Sequence, residues 1–328
     1  MESKLYTGPE SKSMIVALAQ IYPEWLNRGS TLAKVLEYLD QAAQMGARLV
    51  VFSEALVPGY PFWLSHSGGA EFNSDIQKDI HARYLQQAVC IPDGHLDELC
   101  REAASREIAV YLGCVERAAD RGGHSLYCSL IYINPQGEIR SNHRKLMPTY
   151  EERLVWAVGD GNGLQAHSLP PFTVTGLNCW ENWMPLTRSA MYAQGTNLHI
   201  AVWPGGKSNT SDITRYIAKE SRSFVLSASG LMDINHIPID FPHGDVLLNT
   251  CPDIMADGGS CIVGPDGNWV IEPAENREEL LVAELEYTDV LRERQNFDPM
   301  GHYSRPDVLR LQLDRTRQSA ITYLPEDE

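Results

Sequence analysis

The sequence lacks any apolar run long enough to cross a membrane. A helix needs about 20 consecutive apolar residues to span a bilayer, and no segment of the 328 residues approaches that length. The opening segment, MESKLYTGPESKS, also lacks the basic start and the apolar stretch of a secretory signal peptide. We therefore expect a cytoplasmic protein with no membrane partner.

Positive charge is scarce and is not clustered. The chain has 27 Lys and Arg residues against 43 Asp and Glu residues, which gives a formal net charge of −16 at pH 7. No dense run of Lys and Arg interrupts this acidic background, so a nucleic-acid backbone would be repelled overall. We expect no nucleic-acid partner.

Cysteine is present, but not in the patterns that disulfides or zinc require. The seven cysteines are odd in number, and no two of them form a CxxC pair. Such a set is typical of reduced thiols, most of which act as small buried apolar residues. The ten histidines are scattered, without an HExxH motif or a Cys/His pair at zinc spacing. The sequence therefore predicts no disulfide framework and no metal.

The overall composition is that of an ordinary globular protein. Hydrophobic residues make up 43% of the chain and charged residues 21%, and a chain of this length can bury a large core. After residue 286 the chain becomes more charged and polar, with few periodic apolar positions. We predict one large domain over residues 1–286 and a C-terminal tail over residues 287–328.

Hydrophobic periodicity at the start of the chain predicts a strand, a helix and a second strand. Residues 14–20 form a short apolar run, residues 31–45 repeat apolar positions at helical spacing, and Gly46 follows as a helix stop. Residues 48–54 form a second apolar run that ends on a carboxylate. This order is typical of a parallel sheet.

The remaining pattern alternates further strands and helices. After a loop at 55–67, it predicts helices at 71–89, 94–106, 185–194 and 212–221, and strands at 108–115, 125–133, 138–145, 172–179, 197–203, 223–229, 259–263, 268–271 and 280–285. The order indicates an α/β fold of mixed sheets flanked by helices. Because strand-helix-strand recurs in both halves, two similar sheets packed together would suit the pattern.

Cys179 is the first candidate for chemistry, because it stands where an apolar strand gives way to a helix-forming segment, GLNCWENWMPLTRSAMYAQG. A thiol in that place can use backbone N–H groups and the positive end of a helix, which lower its pKa and stabilise a developing anion. A cysteine at a strand end is also commonly a core residue, and this position by itself does not separate the two interpretations.

Two further charged residues, Glu54 and Lys145, lie at the edges of predicted strands, and a third, Glu152, lies seven positions after Lys145. Glu54 closes a strand and could act as a general base, or it could cap a helix or form an ion pair. Lys145 could stabilise negative charge on an attacked atom, or it could be a surface lysine. Glu152 could orient that lysine or transfer protons, or it could be a solvated glutamate at a helix start beside Glu151.

These residues lie in three motifs that resemble those of the nitrilase superfamily. The motifs are FSEALVPGYPFW around Glu54, HRKLMPTYEERLVW around Lys145 and NCWENWMPL around Cys179, and they occur in the family's order with separations of 91 and 34 residues. The resemblance covers nearly the whole chain. It implies a four-layer αββα sandwich with mixed sheets and a Glu54–Lys145–Cys179 catalytic triad, with Glu152 as a candidate fourth member.

The run Cys179-Trp180-Glu181-Asn182 resembles the nitrilase branch of that superfamily. The resemblance implies hydrolysis of a small-molecule nitrile to a carboxylic acid and ammonia, through a thioimidate and a thioester on the cysteine, without a cofactor. An amidase or carbamoylase with the same triad is the alternative. A non-catalytic assembly protein is a third possibility that the intact triad argues against.

Aromatic residues near each motif predict an apolar substrate pocket. We take Tyr60, Trp180 and Trp203 as candidate substrate-binding residues, although aromatic side chains also fill cores regardless of function. This enrichment favours aromatic or arylaliphatic nitriles. The family resemblance further implies a homo-oligomer, either a dimer or a larger spiral, with the 287–328 tail as an interface element.

Overall fold

The computed structural model describes residues 12–321 of the chain. Residues 1–11 of the opening segment and residues 322–328 of the predicted tail lie outside the described part, so the expectations about them stay predictions. Within residues 12–321, no helix is both long and apolar enough to cross a membrane.

Strands and helices alternate along the described chain, and both are numbered in chain order. The strands are β1 Ser13–Gln20, β2 Leu49–Phe52, β3 Ala109–Arg117, β4 Leu126–Ile133, β5 Ile139–Arg144, β6 His167–Leu169, β7 Phe172–Asn178, β8 Leu198–Trp203, β9 Phe224–Ser229, β10 Leu231–Asp233, β11 Ile254–Val263, β12 Trp269–Glu275 and β13 Glu279–Glu286. The α-helices are α1 Arg28–Gln44, α2 Asp75–Gln87, α3 Asp97–Ser105, α4 Pro185–Tyr192, α5 Lys207–Ser221, α6 Gly244–Thr250 and α7 Tyr287–Glu293.

The strands of the described chain form two mixed sheets. The first has the order β13-β1-β2-β3-β4-β5, and the second has the order β10-β11-β9-β8-β7-β6 with β12 paired to β11. At the centre of each sheet lie three parallel strands, β1-β2-β3 in the first and β7-β8-β9 in the second. The outer pairings are antiparallel. The prediction of two similar sheets is confirmed.

The two sheets pack face to face, and helices cover their outer faces. The layer between the sheets contains buried side chains from both, including Leu18, Val51, Ile200 and Leu226. Helices α1 and α3 bury apolar side chains against the outer face of the first sheet, and α4 and α5 do so against the second. Each large apolar side chain that becomes buried contributes about 1.5–3 kcal/mol. The predicted α/β class and αββα sandwich are confirmed.

Strand periodicity explains how one sequence serves both faces of a sheet. In β1, Val16 and Leu18 face the second sheet, whereas Ala17 and Ala19 face the helices. Because both faces are covered, the strand is apolar throughout rather than alternating with polar residues. This is why β1 reads in the sequence as one continuous apolar run.

Helix α1 begins at Arg28, three residues before the predicted start at 31, and ends within one residue of the predicted end. Its buried residues, Thr31, Val35, Leu39 and Ala42, recur at helical spacing, and the Asn27 side chain caps its first turn by accepting a hydrogen bond from the Ser30 N–H at 3.0 Å. The chain leaves the helix through Gly46 at φ +78°, a backbone conformation that favours glycine. The predicted stop is confirmed.

Helix α5 begins five residues before the predicted start at 212. The predicted start is therefore wrong. It was placed too late because apolar residues at helical spacing begin only at Ile213. Thr210 and Thr214 complete the buried face, where Thr210 donates a hydrogen bond to the Gly259 carbonyl at 2.8 Å and Thr214 donates one to the Thr210 carbonyl. A face built partly from threonine gives no hydrophobic periodicity, although it buries well once its hydroxyl groups are bonded.

Strands β6 and β10 and helices α6 and α7 have no counterpart among the predicted elements. Helix α7 opens the predicted tail, yet its Val290 is buried and its Tyr287 ring packs edge-on against Phe172 at 5.6 Å between centroids. The start of the tail is therefore packed onto the second sheet. A domain boundary at residue 286 stays a prediction.

Candidate active site

Three strand ends supply the residues of the candidate site. Glu54 lies two residues beyond β2, Lys145 directly follows β5, and Cys179 directly follows β7. The first sheet therefore contributes the carboxylate and the ammonium, and the second contributes the thiol. A hydrogen bond from the Glu54 N–H to the Trp203 carbonyl, at 3.2 Å, joins the two sheets at this edge.

Two glycines allow the chain to pass close to these residues. A Cβ atom at Gly113 would lie 2.0 Å from the Ser53 carbonyl oxygen, and a Cβ atom at Gly159 would lie 2.5 Å from the Lys145 carbonyl oxygen. Any larger residue at these two positions would displace the backbone that carries Glu54 or Lys145. Glycine at these two positions thus lets distant parts of the chain pack directly against the backbone of Glu54 and Lys145.

The Lys145 ammonium lies between two carboxylates. Its Nζ atom is 2.9 Å from Glu54 Oε1 and 2.8 Å from Glu152 Oε2. Glu152 is held further by the Tyr60 hydroxyl at 3.0 Å and by the Thr149 backbone N–H at 2.6 Å. Glu54, Lys145 and Glu152 are at most 2% exposed. Glu152 is thus a buried partner of Lys145, and not the solvated glutamate of the alternative interpretation.

Burial shapes the protonation of this cluster. Burial, countered by Lys145 and reinforced by Glu152, raises the pKa of Glu54 to about 8. Burial alone would lower the pKa of Lys145, but Glu54, Cys179 and Glu152 raise it well above its ordinary value, so the lysine stays an ammonium. Among the described residues, Glu54 Oε2 has no hydrogen-bond partner. Glu54 can therefore take up and release a proton near neutral pH.

Cys179 is buried and has an unusual backbone conformation. It is 3% exposed, and its φ angle of +44° lies in the left-handed region, which costs a residue other than glycine about 1–3 kcal/mol. It begins a short 3-10 helix, Cys179–Trp183. Such strain at the end of a strand, maintained by the surrounding packing, is a feature of functional sites.

The thiol requires help to ionise. Burial raises the pKa of Cys179 well above its ordinary value, Lys145 opposes that rise, Glu54 and Glu152 add to it, and the Trp180 backbone N–H lowers it. A nucleophile in this environment is activated by a neighbouring base rather than by spontaneous ionisation. Glu54 is a carboxylate whose charge acts on the Cys179 thiol, and its role as the base stays a prediction.

The three candidate substrate-binding residues occupy different environments. Tyr60 bonds to Glu152 and packs edge-on against Trp156, whose ring centroid lies 5.7 Å from Lys145 Nζ. Trp180 is 51% exposed and packs near Trp183. Trp203 is completely buried, and its indole N–H donates to Ser227 Oγ at 3.3 Å.

The location of Trp203 indicates a packing role. Its side chain belongs to the core cluster that also contains Cys179 and Ala201, and its carbonyl receives the Glu54 N–H. Through these contacts Trp203 supports the chain at Glu54 and at Cys179 from within the protein. Substrate contacts by Tyr60, Trp180 and Trp203 stay predictions.

A second group of polar residues is hydrogen-bonded to the backbone of Cys179. Asn182 Nδ2 donates to the Cys179 carbonyl at 2.9 Å, and His199 Nε2 lies 2.8 Å from Asn182 Oδ1. Burial, with Arg188 nearby, lowers the pKa of His199 to about 3, so the ring is neutral. Because Asn182 Oδ1 can only accept, His199 Nε2 carries the proton and Nδ1 accepts from Thr175. The sequence analysis did not find this chain of contacts.

Glu181 and His143 are the other residues that the sequence analysis missed. His143 Nε2 lies 2.9 Å from Glu181 Oε2, and both side chains are at most 2% exposed. The only sequence signal was their presence in the HRK and CWEN motifs, which gives no indication of pairing. In the described part of the chain, no group of three or more His, Cys, Asp and Glu residues is arranged to hold a metal ion.

Comparison with known proteins gives concordant results. The family model described as carbon-nitrogen hydrolase matches residues 15–293. A protein named Nitrilase 2, from an unknown prokaryotic organism, is 34% identical and the alignment covers 97% of this chain and 98% of that protein. An aliphatic nitrilase of Sinorhizobium fredii is 34% identical, with 93% and 97% covered.

Solved structures share the fold at lower identity. A crystal structure of an amidase from Nesterenkonia sp. superimposes with a TM-score of 0.62 at 19% identity, and the alignment covers 86% of this chain and 94% of that one. Similarity at this level supports the arrangement of layers and strands described above.

Proposed function

This chain belongs to the carbon-nitrogen hydrolase family, and we propose that it is a nitrilase that converts an organic nitrile and two water molecules into a carboxylic acid and ammonia. Relatives named nitrilases, 32–34% identical over nearly their full length, support this activity. The observation that carries the proposal is the buried Lys145, held between two carboxylates beside a strained cysteine.

The first half of the reaction would form a covalent thioimidate. Glu54 accepts the thiol proton as the Cys179 sulfur bonds to the nitrile carbon, and the nitrile nitrogen gains negative charge. The Lys145 ammonium stabilises that charge, and the transferred proton completes the C=NH group. Every charged group that this step needs is already buried, so little solvent has to reorganise.

The second half would release ammonia and then the acid. Glu54 takes a proton from a water molecule that adds to the thioimidate carbon and passes it to the nitrogen. The added hydroxyl group then gives up its proton as it becomes the thioester carbonyl, and the nitrogen with this second proton leaves as ammonia. A second water molecule then hydrolyses the thioester, which frees the carboxylic acid and restores the thiol. Glu152 anchors Lys145 throughout and keeps its ammonium aimed at the reacting atoms.

We further propose that the substrate is an aromatic or arylaliphatic nitrile. Trp180 follows the nucleophile directly and is 51% exposed, and Trp183 packs near it with 6.1 Å between ring centroids. Exposed aromatic surface next to a nucleophile supplies an apolar face for a flat substrate. Relatives of this chain include proteins named aliphatic nitrilase and arylacetonitrilase. The experiment must therefore compare nitriles whose organic groups differ in size.

A cytoplasmic homo-oligomer is the remaining part of the proposal. The seven cysteines are all free, as is usual in a reducing compartment. In the predicted tail, Leu309, Leu311 and Leu313 occupy alternate positions in a segment without helix or strand and are 37–78% exposed. Alternating exposed leucines are suited to contact with another copy of the chain.

The test is ammonia release from matched nitriles and amides in aromatic, arylaliphatic and aliphatic series. We expect release from nitriles that disappears in Cys179→Ala and is kept in Cys261→Ala, which removes another buried thiol away from the site. Release of ammonia from amides alone would identify an amidase instead. If nitriles gave mainly the amide, the protein would act as a nitrile hydratase rather than as a nitrilase. No release from either series would contradict the enzymatic proposal.

A further inference from the structure

Glu181 makes hydrogen bonds to the backbone beside both Lys145 and Cys179. Its Oε1 atom accepts from the Leu146 N–H at 2.6 Å, and its Oε2 atom accepts from the Asn178 N–H at 2.8 Å. Leu146 follows Lys145 at the end of the first sheet, and Asn178 precedes Cys179 at the end of the second. One carboxylate therefore spans the two strand ends that carry the reacting groups.

His143 completes the set of donors to this carboxylate. Its Nε2 atom lies 3.1 Å from Glu181 Oε1 and 2.9 Å from Oε2. A carboxylate can only accept, so Nε2 carries the proton. Burial alone would raise the pKa of Glu181, but His143 and the N–H groups of Leu146 and Asn178 bring it below its ordinary value. Glu181 is thus an anion that bonds to all three donors.

The location of these bonds distinguishes them from ordinary packing. Glu181 is 1% exposed and contacts the chain at the residues next to the proposed nucleophile and the proposed cation. The loss of one bond would let one strand end move relative to the other while the sheets themselves stay intact. Catalysis depends on such separations, because small misplacements of a reacting group reduce rates steeply.

We propose that Glu181, oriented by His143, is a positioning residue that sets the separation between the Lys145 ammonium and the Cys179 sulfur. This inference rests on the proposed function, because it concerns the same site. Glu181 does not touch the reacting atoms. It acts through the backbone of Leu146 and Asn178.

The first variant is Glu181→Gln, which keeps the size of the side chain but replaces one acceptor with an NH₂ donor. The amide can still bond to His143 through a change of tautomer, but its NH₂ group must oppose either the Leu146 or the Asn178 N–H. We expect kcat to fall by about 10- to 100-fold, with KM changed by less than about threefold. A residue that serves only stability would instead lower the folded fraction and leave kcat per folded molecule unchanged.

A second readout does not depend on any nitrile. Iodoacetamide alkylates thiolates, and the rate at Cys179 can be followed by mass spectrometry of its peptide. Lys145 lowers the pKa of Cys179, so separating the two groups by Glu181→Gln leaves less thiolate. We expect the alkylation rate at pH 8 to fall by about tenfold, which corresponds to a rise of about one unit in the thiol pKa.

Variants at His143 keep the inference testable if Glu181→Gln does not fold. His143→Ala removes a donor to Glu181 and should lower kcat and the alkylation rate, whereas His143→Gln offers an amide donor and should recover part of both. The matched control is His167→Gln, because His167 is also buried and bonds to Ser141 two residues before His143. We expect that control to keep kcat within about twofold.

The outcomes separate this inference from the proposed function. A fall in both kcat and alkylation rate in folded Glu181→Gln, or in His143→Ala with recovery in His143→Gln, supports the positioning role. Folded Glu181→Gln with kcat within about twofold of the unmodified protein overturns it. If the unmodified protein releases no ammonia from nitriles, the proposed function fails, and the alkylation rate alone then decides the inference.

Discussion

The ammonium of Lys145 lies 2.9 Å from Glu54 Oε1, although the two residues stand 91 positions apart in the sequence. Both side chains are almost completely enclosed, so bulk water solvates neither the ammonium nor the carboxylate that Glu54 presents once it has lost its proton near pH 8. A buried ion pair contributes little net stability because desolvation offsets the attraction. The pair lies at the sheet edge that also carries Cys179, as the proposed catalysis requires, and removal of one partner leaves the other buried without it.

Removing the cation should affect both stability and activity. Lys145→Met leaves Glu54 and Glu152 without their shared partner, and we expect the free energy of unfolding to fall by about 3–5 kcal/mol. Nitrile turnover should fall at least about 1000-fold. Lys207→Met is the matched control, because Lys207 pairs with Glu275 at the exposed surface, where solvent screens the pair and its loss should leave the free energy of unfolding nearly unchanged. Urea unfolding and ammonia release measure the two effects.

The role of Glu152 can be separated from that of Tyr60. Glu152→Gln weakens the 2.8 Å contact with Lys145, and we expect kcat to fall by about 100-fold. Tyr60→Phe removes only the hydroxyl donor to Glu152, so we expect a loss of about threefold to tenfold. Steady-state kinetics on one nitrile would test both variants. Near-normal turnover by Glu152→Gln would leave Glu152 with a structural role only.

The raised pKa of Glu54 predicts a pH dependence of activity. As the proposed base, Glu54 must be unprotonated, and its pKa of about 8 means that kcat/KM should rise with pH through that region. A profile measured between pH 6 and pH 9.5 would show the rise. A flat profile across that range would contradict the assignment of Glu54 as the base.

The same pKa predicts an opposite trend in stability. In the folded protein Glu54 keeps its proton up to about pH 8. In the unfolded chain it releases the proton near the ordinary glutamate pKa. Between these two pKa values the folded state therefore binds one more proton than the unfolded state. The stabilisation is complete below the unfolded pKa and is lost as pH rises toward 8. Urea unfolding at pH 5, 6.5 and 8 should show this decline. Glu54→Gln should make the decline smaller, and an equal decline in that variant would exclude Glu54 as its source.

The left-handed backbone at Cys179 predicts a stability difference between two inactive variants. Glycine adopts φ +44° without steric cost, so Cys179→Gly should be more stable than Cys179→Ala by about 1 kcal/mol. The control is Ala201→Gly in strand β8, where the same change should destabilise by a similar amount. Thermal unfolding of the three variants and the unmodified protein measures the differences. A Cys179→Gly protein less stable than Cys179→Ala would contradict the strain.

Much of the fold could be predicted because it depends on local patterns. Continuous apolar runs predicted the central strands, since both faces of each sheet are covered, and helical spacing with a glycine stop predicted α1, whereas its asparagine cap was not predicted. The start of α5 could not be predicted, because its buried face uses Thr210 and Thr214, whose burial depends on hydrogen bonds to other parts of the chain.

The sequence by itself determined the three strand ends that carry Glu54, Lys145 and Cys179, because each lies in a contiguous motif. Glu54 and Cys179 also follow apolar runs, which are local features, whereas Lys145 follows the polar strand IRSNHR. Only the tertiary structure decided which side chains meet. The bonds of Glu181 to Leu146 and Asn178, and the enclosure of Trp203, arise where two sheets pack together. Contacts between distant segments depend on that packing, and no spacing along the chain encodes them.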